Sequence, residues 1–361
     1  MTKSKQIFTQ ALLASSIFLF LTIFYPTRAQ NSHIPYDAKN SIELSKRPKN
    51  LVQAVGTVGI TVSDMDRAIA FYTDALSFKK VSDIEVYGPE YENLLGLFGV
   101  RLRLVRMQLG TEEIELIEHI TPQGQPIPID SRSNDLWFQH IAIVVRDMEQ
   151  AYQKLRKFDV THVSTAPQKL PEYIEAAAGI EAFYFRDPDG NTLELIAYPP
   201  DKGNPRWQEP GNELFLGIDH TAIAISDTAN STQFYQDLLG LEVAGASENY
   251  GPEQEHLNNV EGARLQITGL KAEQGMGIEL LEYLEPDNSR SLPENTTPKD
   301  LIHWETTLVV ADISLAAKKI SQAGWQIISP AIVNIDEPTL GFTRAFLVRD
   351  PDGHVLRIVQ H

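Results

Sequence analysis

Hydrophobic and polar positions alternate over residues 53–62, a segment rich in β-branched side chains, and this pattern predicts a strand. Asp64 follows as the N-cap of a predicted helix that ends at Leu76. The apolar positions of this helix recur at helical spacing, at Met65, Ala68, Ile69 and Tyr72. Three more strands are predicted near 81–87, 100–109 and 112–119. Together these elements predict one β-α-β-β-β module.

The same order of elements returns later in the chain. A strand is predicted from Phe138 to Val145, followed by a helix from Asp147 to Phe158. A hairpin over 184–197, built on an Asp-Pro-Asp-Gly turn, closes this second module. Third and fourth modules are predicted to start at Gly217 and Ile302. Because one module leaves a face of its sheet bare, two modules must pair to bury a core.

An internal duplication relates the two halves of the chain. The segment Tyr87-Gly88-Pro89-Glu90, expected to be a turn, recurs as Tyr250-Gly251-Pro252-Glu253. The sequence Arg-Asp-Pro-Asp-Gly occurs at 186–190 and again, at the same offset, at 349–353. One offset held over this length indicates two copies of a unit of ordinary domain size.

These patterns predict an α+β fold with two tandem domains, at 51–200 and 214–361. Each domain is predicted to be a pair of β-α-β-β-β modules that form an eight-stranded half-open cup. We assign the pairs within each copy, so that the first module pairs with the second and the third with the fourth. The predicted linkers are rich in Pro, Asn, Asp, Ser and Gly, and they cover 121–135, 199–213 and 286–300.

The N-terminus resembles a secretory signal peptide. Lys3 and Lys5 precede an apolar run from Ala11 to Tyr25, and Thr27-Arg28-Ala29 offers small residues at a cleavage site. We therefore predict a signal peptide over 1–29, a loose tail over 30–50 and an exported protein, periplasmic or secreted. The alternative is an uncleaved anchor, but the run is shorter than the roughly 20 residues of a spanning helix. No stable membrane span is expected after cleavage.

Charge and composition narrow the chemistry. The net charge is −17 without a basic stripe, which argues against a nucleic-acid partner and leaves a small molecule as the expected substrate. The chain has no cysteine, which excludes disulfides, thiolate ligands and cysteine nucleophiles. Any metal must therefore be bound by His, Asp or Glu side chains.

Three segments and two turns carry a resemblance to a known superfamily. The segments are TVGITVSDMDRAIAFYTDALSF (57–78), HIAIVVRDMEQAYQKL (140–155) and HTAIAISDTANSTQFYQDLLGLEV (220–243), and the turn is the repeated RDPDG. They resemble modules of the vicinal-oxygen-chelate superfamily, which includes glyoxalase I, extradiol dioxygenases and bleomycin-resistance proteins. The resemblance covers nearly all of 51–361. It implies that paired modules form a cup around one divalent metal, with ligands on the first and last strand of each module.

The resemblance also implies candidate ligand positions. In the first predicted domain these positions fall on Thr57, Glu115, His140 and Glu194. In the second they fall on His220, Glu279, Glu305 and Arg357. Thr57 departs from the His or Gln that glyoxalase-like enzymes carry, and Arg357 departs from their Glu. The implied metal ligands are therefore Glu115, His140, Glu194, His220, Glu279 and Glu305.

The first predicted domain is expected to have the better metal site, with Glu115, His140 and Glu194 converging. Charged groups that face inward from apolar strands are costly unless they are paired or bind a metal. The alternative is a His-Glu network that shares protons without metal. In the second domain, Arg357 repels a cation, and it is expected to pair with Glu279 or Glu305, or to bind an anionic ligand. His303, on the strand face of Glu305, offers a shifted ligand.

The resemblance implies that two adjacent substrate oxygens chelate the metal, which is zinc, nickel, manganese or iron, and that the metal stabilises an anionic intermediate. Glu194 matches the glutamate that acts as base in glyoxalase I-like enzymes and is the expected catalytic residue. One histidine with two glutamates suits a redox-inert Lewis acid. We therefore predict an exported glyoxalase-like metal-dependent lyase or isomerase acting on a small molecule with vicinal oxygens.

Two alternatives stand beside this prediction. One is a metal-free small-molecule binding protein of the bleomycin-resistance type. The other is an extradiol-dioxygenase-like oxygenase, which requires two histidines and one carboxylate on iron(II). Neither predicted domain offers that ligand set. Export also argues against glutathione and coenzyme A thioesters as substrates, since these are cytoplasmic metabolites.

Overall fold

The structure, a computed structural model, describes residues 50–361. The predicted signal peptide (1–29) and nearly all of the predicted tail (30–50) lie outside the described residues. Within the described part of the chain, no helix combines the length and the apolar character needed to cross a membrane.

Four modules follow one another along the described chain. The first contains β1 (Val52–Val62), α1 (Met65–Asp74), β2 (Lys79–Tyr87), α2 (Pro89–Leu95), β3 (Arg101–Leu109) and β4 (Glu112–Thr121). The second contains β5 (Gln139–Val145), α3 (Met148–Leu155), β6 (Thr161–His162), β7 (Gln168–Lys169), β8 (Glu181–Arg186) and β9 (Thr192–Ala197). The third contains β10 (Phe215–Ile225), α4 (Thr228–Thr232), β11 (Glu242–Tyr250), α5 (Pro252–Asn258), β12 (Arg264–Lys271), β13 (Gln274–Gly275) and β14 (Gly277–Glu285). The fourth contains β15 (Trp304–Val310), α6 (Ile313–Gln322), β16 (Val333–Asn334), β17 (Arg344–Arg349) and β18 (Val355–Gln360).

Each of the two sheets combines modules from both copies of the repeat. One sheet runs β16-β17-β18-β15-β1-β4-β3-β2 and unites the first and fourth modules, which we name cup A. The other runs β11-β12-β14-β10-β5-β9-β8-β6 and unites the second and third modules, which we name cup B. The predicted α+β class and eight-stranded paths are confirmed. The prediction that modules pair within each copy, 51–200 and 214–361, is wrong, because they pair across the copies.

Within each cup, the opening strands of its two modules join the modules into one sheet. β1 pairs antiparallel with β15, where Gly59 lies opposite Glu305, and β10 pairs antiparallel with β5, where Ala222 lies opposite His140. All four opening strands present backbone N–H and C=O groups at their edges, and these groups are the same on every strand, so they do not select a particular partner. Hydrophobic patterning therefore predicts that opening strands pair, but not which of them pair.

The linkers after β4 and β14 contact each other and so connect the two copies of the repeat. Arg290, in the later linker, binds both carboxylate oxygens of Asp135 at 2.7 Å. The backbone N–H of Leu301 donates to the carbonyl of Gln125 at 2.9 Å. Contacts between two linkers so far apart in sequence are consistent with the pairing of modules across copies.

The repeated Asp-Pro-Asp-Gly turns connect one cup to the other. The Tyr72 hydroxyl on α1 donates to Asp187 at 3.3 Å, and in the second copy the Tyr235 hydroxyl donates to Asp350 at 3.0 Å. Both carboxylates are buried. Each copy of the repeat is thus connected across the two cups by one tyrosine–aspartate hydrogen bond, which gives the duplicated turn its structural role.

The segments predicted as Tyr-Gly-Pro-Glu turns instead begin short helices. Gly88 and Gly251 precede α2 and α5 with φ of 123° and 94°, a conformation that favours glycine. Pro89 and Pro252 then occupy the first helical turn, where their missing N–H group costs nothing. These helices are only seven residues long, and no apolar period is visible over so short a span.

Candidate metal centre

Cup B brings two histidines and two glutamates together. In the sheet, Ala222 on β10 lies between His140 on β5 and Glu279 on β14. Glu194 on β9 lies opposite the residue two positions after His140. A register shift between Ile218 and Thr221 marks a bulge in β10, and His220 lies within it. All four groups come from central strands of the same sheet.

The distances between these groups suit a common cation. Nε2 of His140 lies 3.0 Å from Oε2 of Glu194. Nε2 of His220 lies 3.6 Å from the same oxygen and 3.4 Å from Oε2 of Glu279. Ligand atoms of His140, Glu194 and His220 all lie within 4.8 Å of one another. Donors at about 2.1 Å from one ion lie within about 4.2 Å of each other, so small shifts would complete the site.

In the part of the chain that the structure describes, three of the four imidazole nitrogens in the cluster are buried without a hydrogen bond. His140 and His220 are 1% and 3% exposed, and both ring nitrogens of His140 and Nε2 of His220 make no hydrogen bond within residues 50–361. Unsatisfied buried nitrogens are costly and rare, and a cation would satisfy them. The Glu279 side chain is 32% exposed, so one side of the cluster opens to solvent. Nitrogen and carboxylate donors fit the metals predicted from the sequence.

A hydrogen-bond network orients His220. Its Nδ1 lies 3.0 Å from Oδ2 of Asp219, which as a carboxylate accepts the ring proton. Asp219 also accepts from the Tyr198 hydroxyl at 3.0 Å and from Nε1 of Trp207 at 2.8 Å. Burial lowers the pKa of His220, but the Glu279 charge and the Asp219 hydrogen bond outweigh it and raise the pKa to about 10. This arrangement directs Nε2 of His220 toward the glutamates.

Cup A carries the remaining candidate ligands, and an ion pair fills its centre. Glu115 on β4 and Glu305 on β15 both lie opposite Gly59, as Glu279 and His140 lie opposite Ala222 in cup B. Arg357 on β18 binds Glu115 at 2.6 Å and Glu305 at 3.4 Å. The prediction that Glu115 converges with His140 and Glu194 is wrong, because β4 lies in the other sheet.

The polar groups around Arg357 complete an internally neutralised network. Arg357 donates to the Thr307 hydroxyl at 3.1 Å and approaches the Thr57 hydroxyl at 3.5 Å. His303 is hydrogen-bonded to Glu305 at 2.9 Å, so it binds a carboxylate that Arg357 also contacts. Of the predicted partners of Arg357, Glu305 is correct, whereas Glu279 lies in cup B. The guanidinium thus occupies, among the carboxylates of cup A, the place that a metal ion would take.

The sequence pattern did not identify Asp219 as a functional residue. Neighbouring residues on a regular strand point to opposite faces, so the pattern places Asp219 away from His220. The bulge in β10 removes this alternation and brings both side chains into contact. A carboxylate directly before a candidate histidine ligand is a weak signal for an orienting partner of this kind.

Comparison with known proteins agrees with this geometry. A family model described as Glyoxalase/Bleomycin resistance protein/Dioxygenase superfamily matches residues 54–195 and 217–358. A 2-epi-5-epi-valiolone epimerase from Actinomyces sp. is 31% identical over 169 residues, covering 45% of this chain and 87% of that protein. A lactoylglutathione lyase from Arabidopsis thaliana is 22% identical over 294 residues, covering 81% of this chain and 86% of that protein.

Solved structures share the fold. Glyoxalase I from Zea mays superposes with a TM-score of 0.54 at 16% identity, covering 85% of this chain and 92% of that chain. A putative dioxygenase from Bacillus subtilis subsp. subtilis str. 168 superposes with a TM-score of 0.53 at 14% identity, covering 86% of this chain and 85% of that chain. At these identities the likeness concerns the fold alone.

Proposed function

This chain belongs to the Glyoxalase/Bleomycin resistance protein/Dioxygenase superfamily, and we propose that it is a metal-dependent lyase or isomerase acting on a small molecule with vicinal oxygens. The observation that carries the proposal is the buried convergence of His140, Glu194 and His220, with Glu279 at the open edge. The relatives named above, an epimerase and a lyase, support the same reaction class.

The residues of cup B would have two roles, metal binding and proton transfer. His140 and His220 would bind a divalent zinc, nickel, manganese or iron ion through nitrogen, and Glu194 and Glu279 through oxygen. When bound, such an ion is a Lewis acid that stabilises negative charge on substrate oxygens. The Asp219 hydrogen bond holds the proton on Nδ1 of His220, so that Nε2 is the nitrogen that would give up its proton and bind the ion.

A carboxylate of the cluster would take the proton from the substrate carbon. We assign this role to Glu194, in keeping with its matching position in glyoxalase I-like enzymes. Glu279 is the competing candidate, because its side chain is 32% exposed. Partial burial, together with the charges of Glu194 and Asp219, outweighs the opposing charge of His220 and raises the pKa of Glu279. A raised pKa favours a base that can accept and return a proton.

The experiment combines metal analysis with proton exchange. Protein purified without chelator is assayed for metal, and exchange of the carbon-bound proton of a small α-hydroxyketone is followed by NMR in deuterated water. Glu194→Gln should retain metal and lose proton exchange. Glu279→Gln should retain metal and keep more of the proton exchange than Glu194→Gln does. Wild-type protein that neither carries nor takes up metal would favour the metal-free binding protein instead.

A second candidate function follows from the pairing of modules across copies. His140, His220 and Glu194 make up the two histidines and one carboxylate that non-haem iron(II) oxygenases use, a set that neither predicted domain offered alone. Oxygen consumption by iron(II)-loaded protein with a catechol tests this alternative. Uptake of oxygen that depends on His140 and His220 would favour the oxygenase over the lyase or isomerase.

We also propose that the protein is exported. The support is the charged N-terminal segment, the short apolar run and the Thr27-Arg28-Ala29 site. N-terminal sequencing of protein from its native host should find a mature chain that starts near Gln30. Intact Met1 in a soluble cytoplasmic fraction would contradict export and would readmit glutathione conjugates as available substrates.

A further inference from the structure

The two cups have the same strand arrangement, but the side chains on three strands at one end of each sheet differ. Across three neighbouring strands, Asn249, Leu265 and Tyr283 form a row in cup B. The corresponding row in cup A is Val86, Leu102 and His119. Residues directly opposite one another share a face of the sheet, and Leu265 belongs to the buried cluster inside cup B. Asn249 and Tyr283 therefore face the interior of cup B.

The helix beside this wall differs in the same way. On α5, Gln254 and Asn258 stand at the repeat positions that Tyr91 and Leu95 hold on α2. On β8, Tyr184 lies opposite Glu194, and its counterpart in cup A is Leu347, opposite Arg357. We name the cup B set the polar wall; its members are Tyr184, Asn249, Gln254, Asn258 and Tyr283.

Three amides and one hydroxyl of the polar wall form a hydrogen-bonded ladder. Asn249 donates to Gln254 at 3.1 Å, Gln254 donates to Asn258, and Asn258 donates to the Tyr283 hydroxyl. All four residues are at least nine-tenths buried, and Oδ1 of Asn249 has no partner within residues 50–361. Burying amides is costly, and the largely apolar wall of cup A shows that this fold does not require them.

Tyr184 connects the polar wall to the candidate metal centre. Its ring lies 4.9 Å from that of His140. A phenol keeps its proton at neutral pH, so the Tyr184 hydroxyl can donate a hydrogen bond. Tyr283 lies four residues beyond Glu279 on β14, about 13 Å along the strand. A molecule bound at the cluster thus meets the Tyr184 hydroxyl first and the ladder beyond it.

No member of the polar wall carries a formal charge. A substrate with carboxylates, such as a glutathione conjugate, is best matched by arginine or lysine. Arg186, two residues beyond Tyr184 on β8, is half-buried and donates to the Ser131 carbonyl at 2.7 Å. The groups near the cluster therefore favour hydroxyl groups over anionic ones.

From this contrast we infer that cup B takes an uncharged polyhydroxylated carbonyl compound. Its vicinal oxygens lie at the His-Glu cluster, and its remaining hydroxyls hydrogen-bond to the polar wall. The inference rests on the proposed function and adds the substrate class. It also explains why one cup has both the candidate metal ligands and the buried amides, while the other has an ion pair and apolar side chains.

The test exchanges residues between the cups. Asn249→Val and Asn258→Leu give cup B the side chains of cup A, and Tyr91→Gln, the matched control, gives cup A a side chain of cup B. Binding of an inosose, a polyhydroxylated cyclohexanone, and of the hemithioacetal of methylglyoxal with glutathione is measured by calorimetry. Both are measured with and without added metal, and metal affinity is determined separately for each variant.

Wild-type protein should bind the inosose at least about tenfold more tightly than the hemithioacetal, and each cup B exchange should weaken inosose binding about tenfold. Metal affinity and the Tyr91→Gln control should be unchanged. Tyr184→Phe, which removes one hydroxyl, provides a milder variant if an exchange impairs folding. Tighter hemithioacetal binding, or inosose binding unaffected by every cup B variant, overturns the substrate class. Absence of metal binding overturns the proposed function instead.

Discussion

Arg357 occupies in cup A the sheet position that Glu194 occupies in cup B. Each lies on the last strand of its module, Arg357 opposite Thr307 and Glu194 opposite Ala142. The same backbone thus presents a fixed positive charge in one cup and a candidate metal ligand in the other. Burial lowers the pKa of Arg357, but Glu115 and then Glu305 outweigh it and raise the pKa, so the guanidinium stays charged.

Removing this charge should destabilise the fold. Arg357→Leu removes the guanidinium that binds buried Glu115 at 2.6 Å and leaves, among the described residues, only the longer contact from Nε of Arg106, at 3.7 Å. We expect the free energy of unfolding to fall by about 3–5 kcal/mol. Denaturant unfolding measures the loss. Arg101→Leu, which breaks an exposed pair with Glu85, is the matched control and should cost less than about 1 kcal/mol.

A double variant separates the ion pair from simple packing. Replacing both Glu115 and Arg357 with leucine removes the pair without leaving Glu115 charged and unpaired, and it should regain most of the lost stability. If the double variant is as unstable as Arg357→Leu alone, the ion pair is not what stabilises cup A.

Much of this architecture could be predicted from residues 53–62 and their repeats, because strand alternation, helix caps and turns are local signals. The candidate ligands were likewise identified on the correct strands. Their grouping failed, because His140 meets Glu194 and His220 only if β5 pairs with β10. The pairing of β5 with β10 is accompanied by contacts between linkers, such as Arg290 with Asp135, and such contacts leave no periodic pattern in the sequence.

The orienting role of Asp219 leads to a test of metal affinity. Asp219→Asn exchanges an acceptor carboxylate for an amide and weakens the hold on Nδ1 of His220, so metal affinity should fall about 10–100-fold. Titration with zinc and a competing chelator measures the change. Asp201→Asn makes the same chemical change at an exposed site on the preceding linker and should have no effect. Equal affinities in the two variants would rule out the orienting role.

Both histidines of cup B should be required for metal. The sequence predicted the better metal site in the domain of His140, with His220 in the other domain, but the structure places both rings in one cluster, 5.8 Å apart. We now expect each substitution to remove stoichiometric metal and wild-type protein to bind one ion per chain. Elemental analysis after dialysis measures this. The exposed His256→Ala serves as the control and should keep its ion. An ion retained by either the His140 or the His220 variant would show that the metal binds elsewhere.

The link between the cups should make stability depend on pH. Burial raises the pKa of Asp187 to about 6, above its ordinary value of 3.8. A carboxyl group whose pKa rises on folding stabilises the protein fully below 3.8, and this contribution is lost as the pH rises through about 6. The difference is about 3 kcal/mol, so unfolding midpoints in urea should fall between pH 4 and pH 7.

Asp187→Asn keeps the shape of the side chain but cannot titrate, and it should flatten that part of the profile. Asp201→Asn, at an exposed position, should follow the wild type. If the profile is the same for Asp187→Asn and wild type, Asp187 is already ionised at pH 4. The hydrogen bonds that it accepts from the backbone N–H groups of Asp189 and Asn191, both at 2.9 Å, would then stabilise the carboxylate.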